Sequence, residues 1–280
     1  MANEIRVDAL LPEEMARRAE YIGVNKAEAP FLKLFFLAIL AGSFIALGAI
    51  FATTVATNGT DTAVPFGINK LLVGFVFCLG LILVIVAGAE LFTGNNLIVM
   101  AWASGKITLR GLLRNWGIVY VGNFIGSISM AVMYFLSRSY RSANGALGKT
   151  MLSIANAKVN LGFWEAIFLA ILCNVLVCLA VWLTFSARST GDKILAIIFP
   201  ITAFVAAGFE HCIANMYFVP VGLLIKNFDP AFAGGSGLAL GNLTWLDFLV
   251  RNLIPVTIGN VIGGAFLVAG VYWVIYLREN

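Results

Sequence analysis

One polar pattern occurs twice in this chain, each time in the middle of a long apolar stretch. Ala87-Gly88-x-Glu90-x-x-x-x-Asn95 lies inside residues 71–102, and Ala207-Gly208-x-Glu210-x-x-x-x-Asn215 lies inside residues 194–225. Both stretches exceed the roughly 20 apolar residues that one helix needs to cross a bilayer. Each holds an ionisable group at membrane depth, where a charge costs roughly 2.5–3.5 kcal/mol on insertion scales. A glycine followed by Glu and Asn in that setting reads as a helix that crosses partway, breaks and resumes. Broken backbone survives there only where protein or a watery cavity satisfies its amides.

The rest of the chain fits that setting. It is 61% hydrophobic and 11% charged, against about 25% charged in a soluble domain. Six spans follow, at residues 31–56, 71–102, 116–136, 161–185, 194–225 and 253–277, the second and fifth broken. The fold class is an all-α membrane protein. The first thirty residues carry Glu4, Arg6, Asp8, Glu13, Glu14, Arg17, Arg18 and Glu20 with no apolar core, so no secretory signal is expected. Residues 11–24 form a candidate amphipathic helix. Pro12 opens it, Glu13 and Glu14 come early, and Arg17 and Arg18 come late. Leu11, Met15, Ala19 and Ile22 recur at helical spacing. Such a helix lies on the membrane surface, packs against the mouth of the bundle, or stays solvated. Cys78, Cys173, Cys178 and Cys212 all fall in spans and read as small core hydrophobes. No metal-ligand cluster and no nucleophile–base pair is evident, so neither an enzyme nor a cofactor or metal site is expected. The net charge of +4 points to no nucleic-acid partner.

Two further matches accompany the polar pattern in the same order. Phe36-Leu37-Ala38-Ile39-Leu40 recurs as Phe168-Leu169-Ala170-Ile171-Leu172. Arg114-Asn115 followed by Gly122-Asn123-x-Ile125-Gly126 recurs as Arg251-Asn252 followed by Gly259-Asn260-x-Ile262-Gly263. Each repeat holds three spans, an odd number, so the second copy is inverted relative to the first. The chain is expected to form one integral membrane domain over residues 1–280. Residues 1–28 form a cytoplasmic N-terminal helix, 29–138 the first repeat and 160–280 the second. Paired broken helices in inverted repeats place a pathway near the bilayer midplane. Their half-helix N-termini carry partial positive charge and would favour an anion. Other roles stay open for these residues. Gly88 and Gly208 could serve close helix packing alone, which would leave the repeated Glu and Asn unexplained. Glu90 and Glu210 suit backbone amides at the breaks, and Asn123 and Asn260 suit bonds across helices.

His211 is the only histidine, and it follows the second break glutamate. It can change charge near neutral pH, unlike its apolar neighbours, or it can be a packed histidine bonded to a neighbouring helix. The larger share of Lys and Arg falls on the side of both termini, which the positive-inside rule makes cytoplasmic. The opposite side is also basic. Arg138, Arg141, Lys149 and Lys158 share one loop without an acidic residue. They would concentrate anions in an outer vestibule or touch lipid head groups.

These residues resemble the formate–nitrite transporter family. The resemblance rests on Gly88-Ala89-Glu90-Leu91-Phe92-Thr93, on residues 170–182 around Asn174, on Gly208-Phe209-Glu210-His211-Cys212-Ile213-Ala214-Asn215-Met216, and on Asn252-Leu253-Ile254-Pro255-Val256-Thr257-Ile258-Gly259-Asn260. It implies an aquaporin-like fold, although the Asn-Pro-Ala signature of aquaporins is absent. It implies a homopentamer in the bilayer of the inner (cytoplasmic) membrane, with one pore per protomer. It implies a channel or transporter for formate and similar small monovalent anions, passive and bidirectional or proton-linked depending on pH. Nitrite or hydrosulfide transport, or a neutral small-solute pore, are the alternatives. By the same resemblance, Leu91, Phe92 and Thr93 lie on the loop that breaks the second span, and Thr93 faces His211 across the pore. Leu81, Leu91 and Val177 form an inner constriction, Phe77 and Phe204 an outer one, Asn174 bonds near the centre, and Lys158 belongs to an electropositive outer ring. On composition alone Phe77, Phe204, Leu81, Leu91 and Val177 are ordinary core residues, and Thr93 suits a helix cap. Gly94-Asn95-Asn96 departs from the small hydroxyl residues often found there. An apolar constriction disfavours the charged form of a weak acid, so His211, or a proton reaching it, could let formate cross as formic acid. The N-terminal helix would then plug the cytoplasmic mouth.

Overall fold

The computed structural model describes residues 9–57 and 64–278. The first eight residues of the expected N-terminal segment therefore lie outside it. The described residues form helices joined by short connections: α1 (Pro12–Glu28), α2 (Phe31–Ala56), α3 (Phe66–Val86), a half-helix α4 that starts as a 3₁₀ turn (Gly94–Ile98) and continues as Val99–Ala103, α5 (Leu109–Leu136), α6 (Ala146–Val159), α7 (Phe163–Ser186), α8 (Thr190–Ala206), α9 (Cys212–Phe228), α10 (Pro230–Gly235) and α11 (Trp245–Tyr276). Helices α2, α3, α5, α7 and α11 are long and apolar enough to cross a membrane, and α9 is a shorter apolar helix. The second crossing is α3 with α4, and the fifth is α8 with α9, so both break where the polar pattern sits.

Several boundaries move outward from the apolar runs. Helices α5 and α11 begin at Leu109 and Trp245, earlier than residues 116 and 253. The added turns carry Arg110, Arg114 and Arg251, charged residues that a search for apolar runs leaves outside the span. The basic connection after α5 is not a loop. Most of it is α6, which buries Leu147, Met151, Leu152, Ala155 and Val159 along one face.

Gly88 and Gly208 are explained by backbone conformation and not by close packing. Both have positive φ, 80° and 76°, and a Cβ at either would meet nothing within 4 Å. Each ends its helix in the left-handed turn that glycine favours. The turn is closed by Ala89 N–H to Val84 O at 2.8 Å and by Phe209 N–H to Phe204 O at 3.0 Å.

The repeat also extends beyond the three spans. The offset that carries Phe36 onto Phe168 carries Lys26 of α1 onto Lys158 of α6. Helix α1 packs against the bundle mouth and is not a solvated surface helix. It buries Met15, Ala16, Ala19, Glu20, Gly23 and Ala27. Arg18 donates to Phe185 O at 3.1 Å, and Arg114 to Ala29 O at 3.1 Å.

Candidate substrate pathway

The two breaks are held by matching hydrogen-bond sets. In the first, Phe92 N–H donates to Asn123 Oδ1 (2.9 Å), and Asn123 Nδ2 donates to Ala38 O (2.7 Å) and Glu90 O (2.9 Å). In the second, Cys212 N–H donates to Asn260 Oδ1 (2.9 Å), and Asn260 Nδ2 donates to Ala170 O (2.8 Å) and Glu210 O (2.9 Å). The buried asparagines thus bond across helices and satisfy the broken backbone, as a bilayer requires.

The glutamates do something else. Expected to accept from backbone amides, they accept from side chains instead. Glu90 takes Lys26 Nζ at 2.9 Å and Asn95 Nδ2 at 2.7 Å. Glu210 takes Lys158 Nζ at 2.7 Å, Asn215 Nδ2 at 2.6 Å and Asn252 Nδ2 at 3.2 Å. The mirror extends to Asn115, which donates to Lys26 O, and Asn252, which donates to Lys158 O, both at 2.9 Å. Each break carboxylate therefore sits beside a lysine that offsets its charge at depth.

Between the breaks, Thr93 Oγ1 lies 2.9 Å from His211 Nε2, both side chains buried. The expected cap roles are exchanged. Thr93 makes no capping bond, whereas His211 caps α9: its Nδ1 accepts from Ala214 N–H at 3.1 Å. An accepting Nδ1 carries no proton. The neutral ring is then the Nε2–H tautomer, which donates to Thr93 and leaves the threonine hydroxyl hydrogen free. The cap also bears on the idea that half-helix N-termini attract an anion. The amides of Phe92, Cys212 and Ala214 are all bonded within the protein, so they are not open donors.

Two cavities approach this pair from opposite sides. In the orientation expected from the sequence, one is outer and the other inner. The outer one, about 650 Å³, is lined among others by Lys70, Phe77, Lys158, Phe204, Glu210 and His211. The inner one, about 90 Å³, lies under α1 and is lined among others by Ile22, Lys26, Leu81, Leu91, Val181 and Phe185. They share no lining residue. The Phe77 and Phe204 rings meet edge to face at 5.7 Å, and Phe204 stacks on His211 at 5.9 Å. Val177 is buried in the apolar cluster that holds Leu81 and Leu91. Asn174 lies behind Thr93, donating to Asn260 O (2.6 Å), Asn96 Oδ1 (3.1 Å) and Thr93 O (3.4 Å). Phe92 lines neither cavity and packs on Tyr120 (4.9 Å) and Trp116 (5.9 Å). Lys158 lines the outer cavity as a paired charge, with its ammonium also 5.4 Å from the Phe218 ring centre. Asp229, at the end of α9, accepts from the Tyr140 hydroxyl (2.6 Å) and Arg141 (2.5 Å), and none of the three lines either cavity. Lys26, Asn115 and Asn252 belong to this site and escaped sequence reasoning as contributors to the breaks. Their signal was the shared spacing from the repeated motifs.

The family model described as formate/nitrite transporter matches residues 13–274. The chain belongs to this family. Among its relatives, the formate channel FocA of Escherichia coli (strain K12) is 50% identical over 277 residues, covering 98% of this chain and 96% of the relative. The formate channel FocA of Haemophilus influenzae is 42% identical over 265 residues, covering 93% and 92%. A solved pentameric formate channel with formate bound superimposes with a TM-score of 0.82 at 46% identity, covering 89% of this chain and 98% of that one. An FNT family ion channel gives 0.77 at 27% identity, covering 94% and 98%. As a formate/nitrite transporter, the chain is a multi-pass membrane protein of inverted repeats, and the two breaks face each other at its His211–Thr93 pair.

Proposed function

We propose that this transporter conducts formate and similar small monovalent anions, as a homopentamer with one pathway per protomer. It sits in the inner membrane as one integral domain with both termini cytoplasmic. The observation that carries this reading is the closed pinch, a 2.9 Å His211–Thr93 contact between two cavities that share no lining residue. The formate-channel names of its relatives support the substrate, and the pentameric formate channel supports the assembly.

In this reading the anion enters the outer cavity past Lys70 and the Lys158–Glu210 pair. It sheds water at Phe77 and Phe204, then meets the free hydrogen of the Thr93 hydroxyl. Leu81, Leu91 and Val177 form the next, apolar passage, toward the inner cavity under α1. Asn174 holds the Thr93 carbonyl and so positions the loop. His211 acts as a neutral donor that orients Thr93. A second proton on Nδ1 would turn the cap acceptor into a donor and break its bond from Ala214. Proton-linked uptake therefore requires that bond to open, and anion flow does not. Helix α1 covers the inner mouth, which suits a plug.

The test is flux into liposomes holding the purified protein, with formate, nitrite, hydrosulfide and glycerol compared across a pH series. Fast formate entry with little glycerol entry is the expected result. Glycerol entering as readily as formate refutes the anion pathway, and nitrite or hydrosulfide outpacing formate moves the substrate within the family.

A further inference from the structure

A separate cavity of about 610 Å³ opens between α1, the turn after α4 and the end of α11. It shares no lining residue with either pathway cavity. Three cations line it, Arg17, Lys106 and Arg278, against one carboxylate, Glu20. Glu20 is buried and paired with Lys106. Arg17 is paired along its own helix with Glu13 at 2.7 Å, where both side chains are mostly exposed (70% and 58%). Such a pair holds its charge weakly. Arg278 has no ion-pair partner among the described residues. The cavity thus keeps an excess of accessible positive charge.

Its remaining walls are aromatic. Trp273 and Tyr276 face it, and Trp273 Nε1 donates to Ser104 Oγ at 3.0 Å. Leu277 and Ala103 complete the lining, so the cations sit beside an apolar wall. Indole and phenol rings gather where hydrocarbon meets water. Basic pockets between membrane helices at that level suit anionic head groups.

We propose that this cavity binds the phosphate of an anionic phospholipid, with Arg17 and Arg278 on the phosphate and an acyl chain leaving along Trp273 and Leu277. A soluble phosphate would use the cations but not the adjoining apolar surface, and that surface decides the assignment. One wall comes from α1 and the other from α11, so the lipid joins the N-terminal helix to the last crossing. The proposal does not depend on which solute the pathway carries.

The experiment is native mass spectrometry of the purified full-length protein after incubation with phosphatidylglycerol, or with phosphatidylcholine of the same acyl chains. Inorganic phosphate is added as a soluble competitor. The expected result is one retained phosphatidylglycerol per chain and little phosphatidylcholine. Arg17→Gln and Arg278→Gln should each weaken retention about fivefold, the effect of one basic residue near a charged surface. Lys149→Gln, on the opposite face, should leave it unchanged. Both arginines lie at the surface, and a thermal melt of each variant matching the parent keeps the comparison on binding. Equal retention by the parent and the double variant overturns the proposal, as does equal retention of the two lipids. Displacement of phosphatidylglycerol by inorganic phosphate at equal concentration assigns the cavity to soluble phosphate and overturns the lipid.

Discussion

Replacing His211 by asparagine separates its two roles, since asparagine caps a helix as well as any residue but does not titrate. In the parent, His211 Nδ1 accepts from Ala214 N–H and Nε2 meets Thr93 Oγ1. The His211→Phe variant removes both contacts. It leaves a buried amide without an acceptor, at about 1–3 kcal/mol, and a buried hydroxyl short of a partner at a similar or smaller cost. A loss of about 2–4 kcal/mol of stability is expected. The His211→Asn variant keeps the cap and should lose about 1 kcal/mol or less from that end. Both variants lack the group that can take a proton. Formate uptake into liposomes, measured from neutral to acidic pH, should rise for the parent after subtraction of empty liposomes. For both variants the protein-dependent rise should vanish, while anion flow at neutral pH persists. Chemical denaturation in detergent reads the stability difference. A parent-like pH dependence in His211→Asn refutes the proton role. Equal stability of the two variants refutes the capping assignment.

Three other outcomes follow from the same structure. Lys158→Gln leaves Glu210 as an uncompensated buried charge and should cost about 3–5 kcal/mol, and a loss below about 1 kcal/mol on denaturation refutes the pairing as a support of the break. Gly208→Ala meets no atom within 4 Å yet must hold φ near 76°, so it should cost about 1–2 kcal/mol, whereas a neutral melt would show that the turn is not strained. The Tyr140 hydroxyl, and then Arg141, hold the Asp229 carboxyl below its ordinary value of 3.8. A lowered folded value means that this stabilisation is present above the ordinary value and is lost as pH falls through the lower one. Asp229→Asn should therefore melt earlier than the parent at neutral pH, with the gap closing only at strongly acidic pH. A gap that closes between about pH 5 and 7, the range where histidine titrates, refutes the assignment.

The crossings were legible because apolar length and repetition are properties of the sequence itself. Two polar interruptions at equivalent places can be read without coordinates. The partners of those polar groups cannot. Glu90 finds Lys26, 64 residues away, and nothing local separates a carboxylate that meets a lysine from one that meets amides. Helix α6 was hidden because its exposed face is basic and its buried face is short and built partly of alanine and glycine. The exchange of caps was hidden for another reason. Threonine is a good cap by residue type, but Thr93 already has helical backbone angles, φ −64° and ψ −38°, whereas His211 is extended at φ −118° and ψ 114°. Only the extended residue can fold its side chain back onto the first turn.

The repeat divides the pathway into a part that is paired and a part that is not. Lysine, glycine, glutamate and three asparagines occur at equivalent positions in both halves: Lys26 with Lys158, Gly88 with Gly208, Glu90 with Glu210, Asn95 with Asn215, Asn115 with Asn252, and Asn123 with Asn260. These groups hold broken backbone in a bilayer, a task both halves share. At the pinch the pairing stops. The residue after the break glutamate is Leu91 in one half and His211 in the other. The offset that carries Phe36 onto Phe168 carries Gly42 onto Asn174, and Gly264 makes room for that asparagine, since a Cβ there would come within 2.3 Å of its Nδ2. In the proposed pathway a solute arriving from the outer cavity passes Phe77 and Phe204 and then meets the Thr93 hydroxyl held by His211, and one arriving from the inner cavity meets leucine. The break lysines are balanced by the same carboxylate on both sides, so they give no preference for direction. In the proposed pathway a difference between the two directions of entry comes from unpaired residues, at the pinch from His211, Thr93, Asn174 and Leu91, and substitutions there should change it.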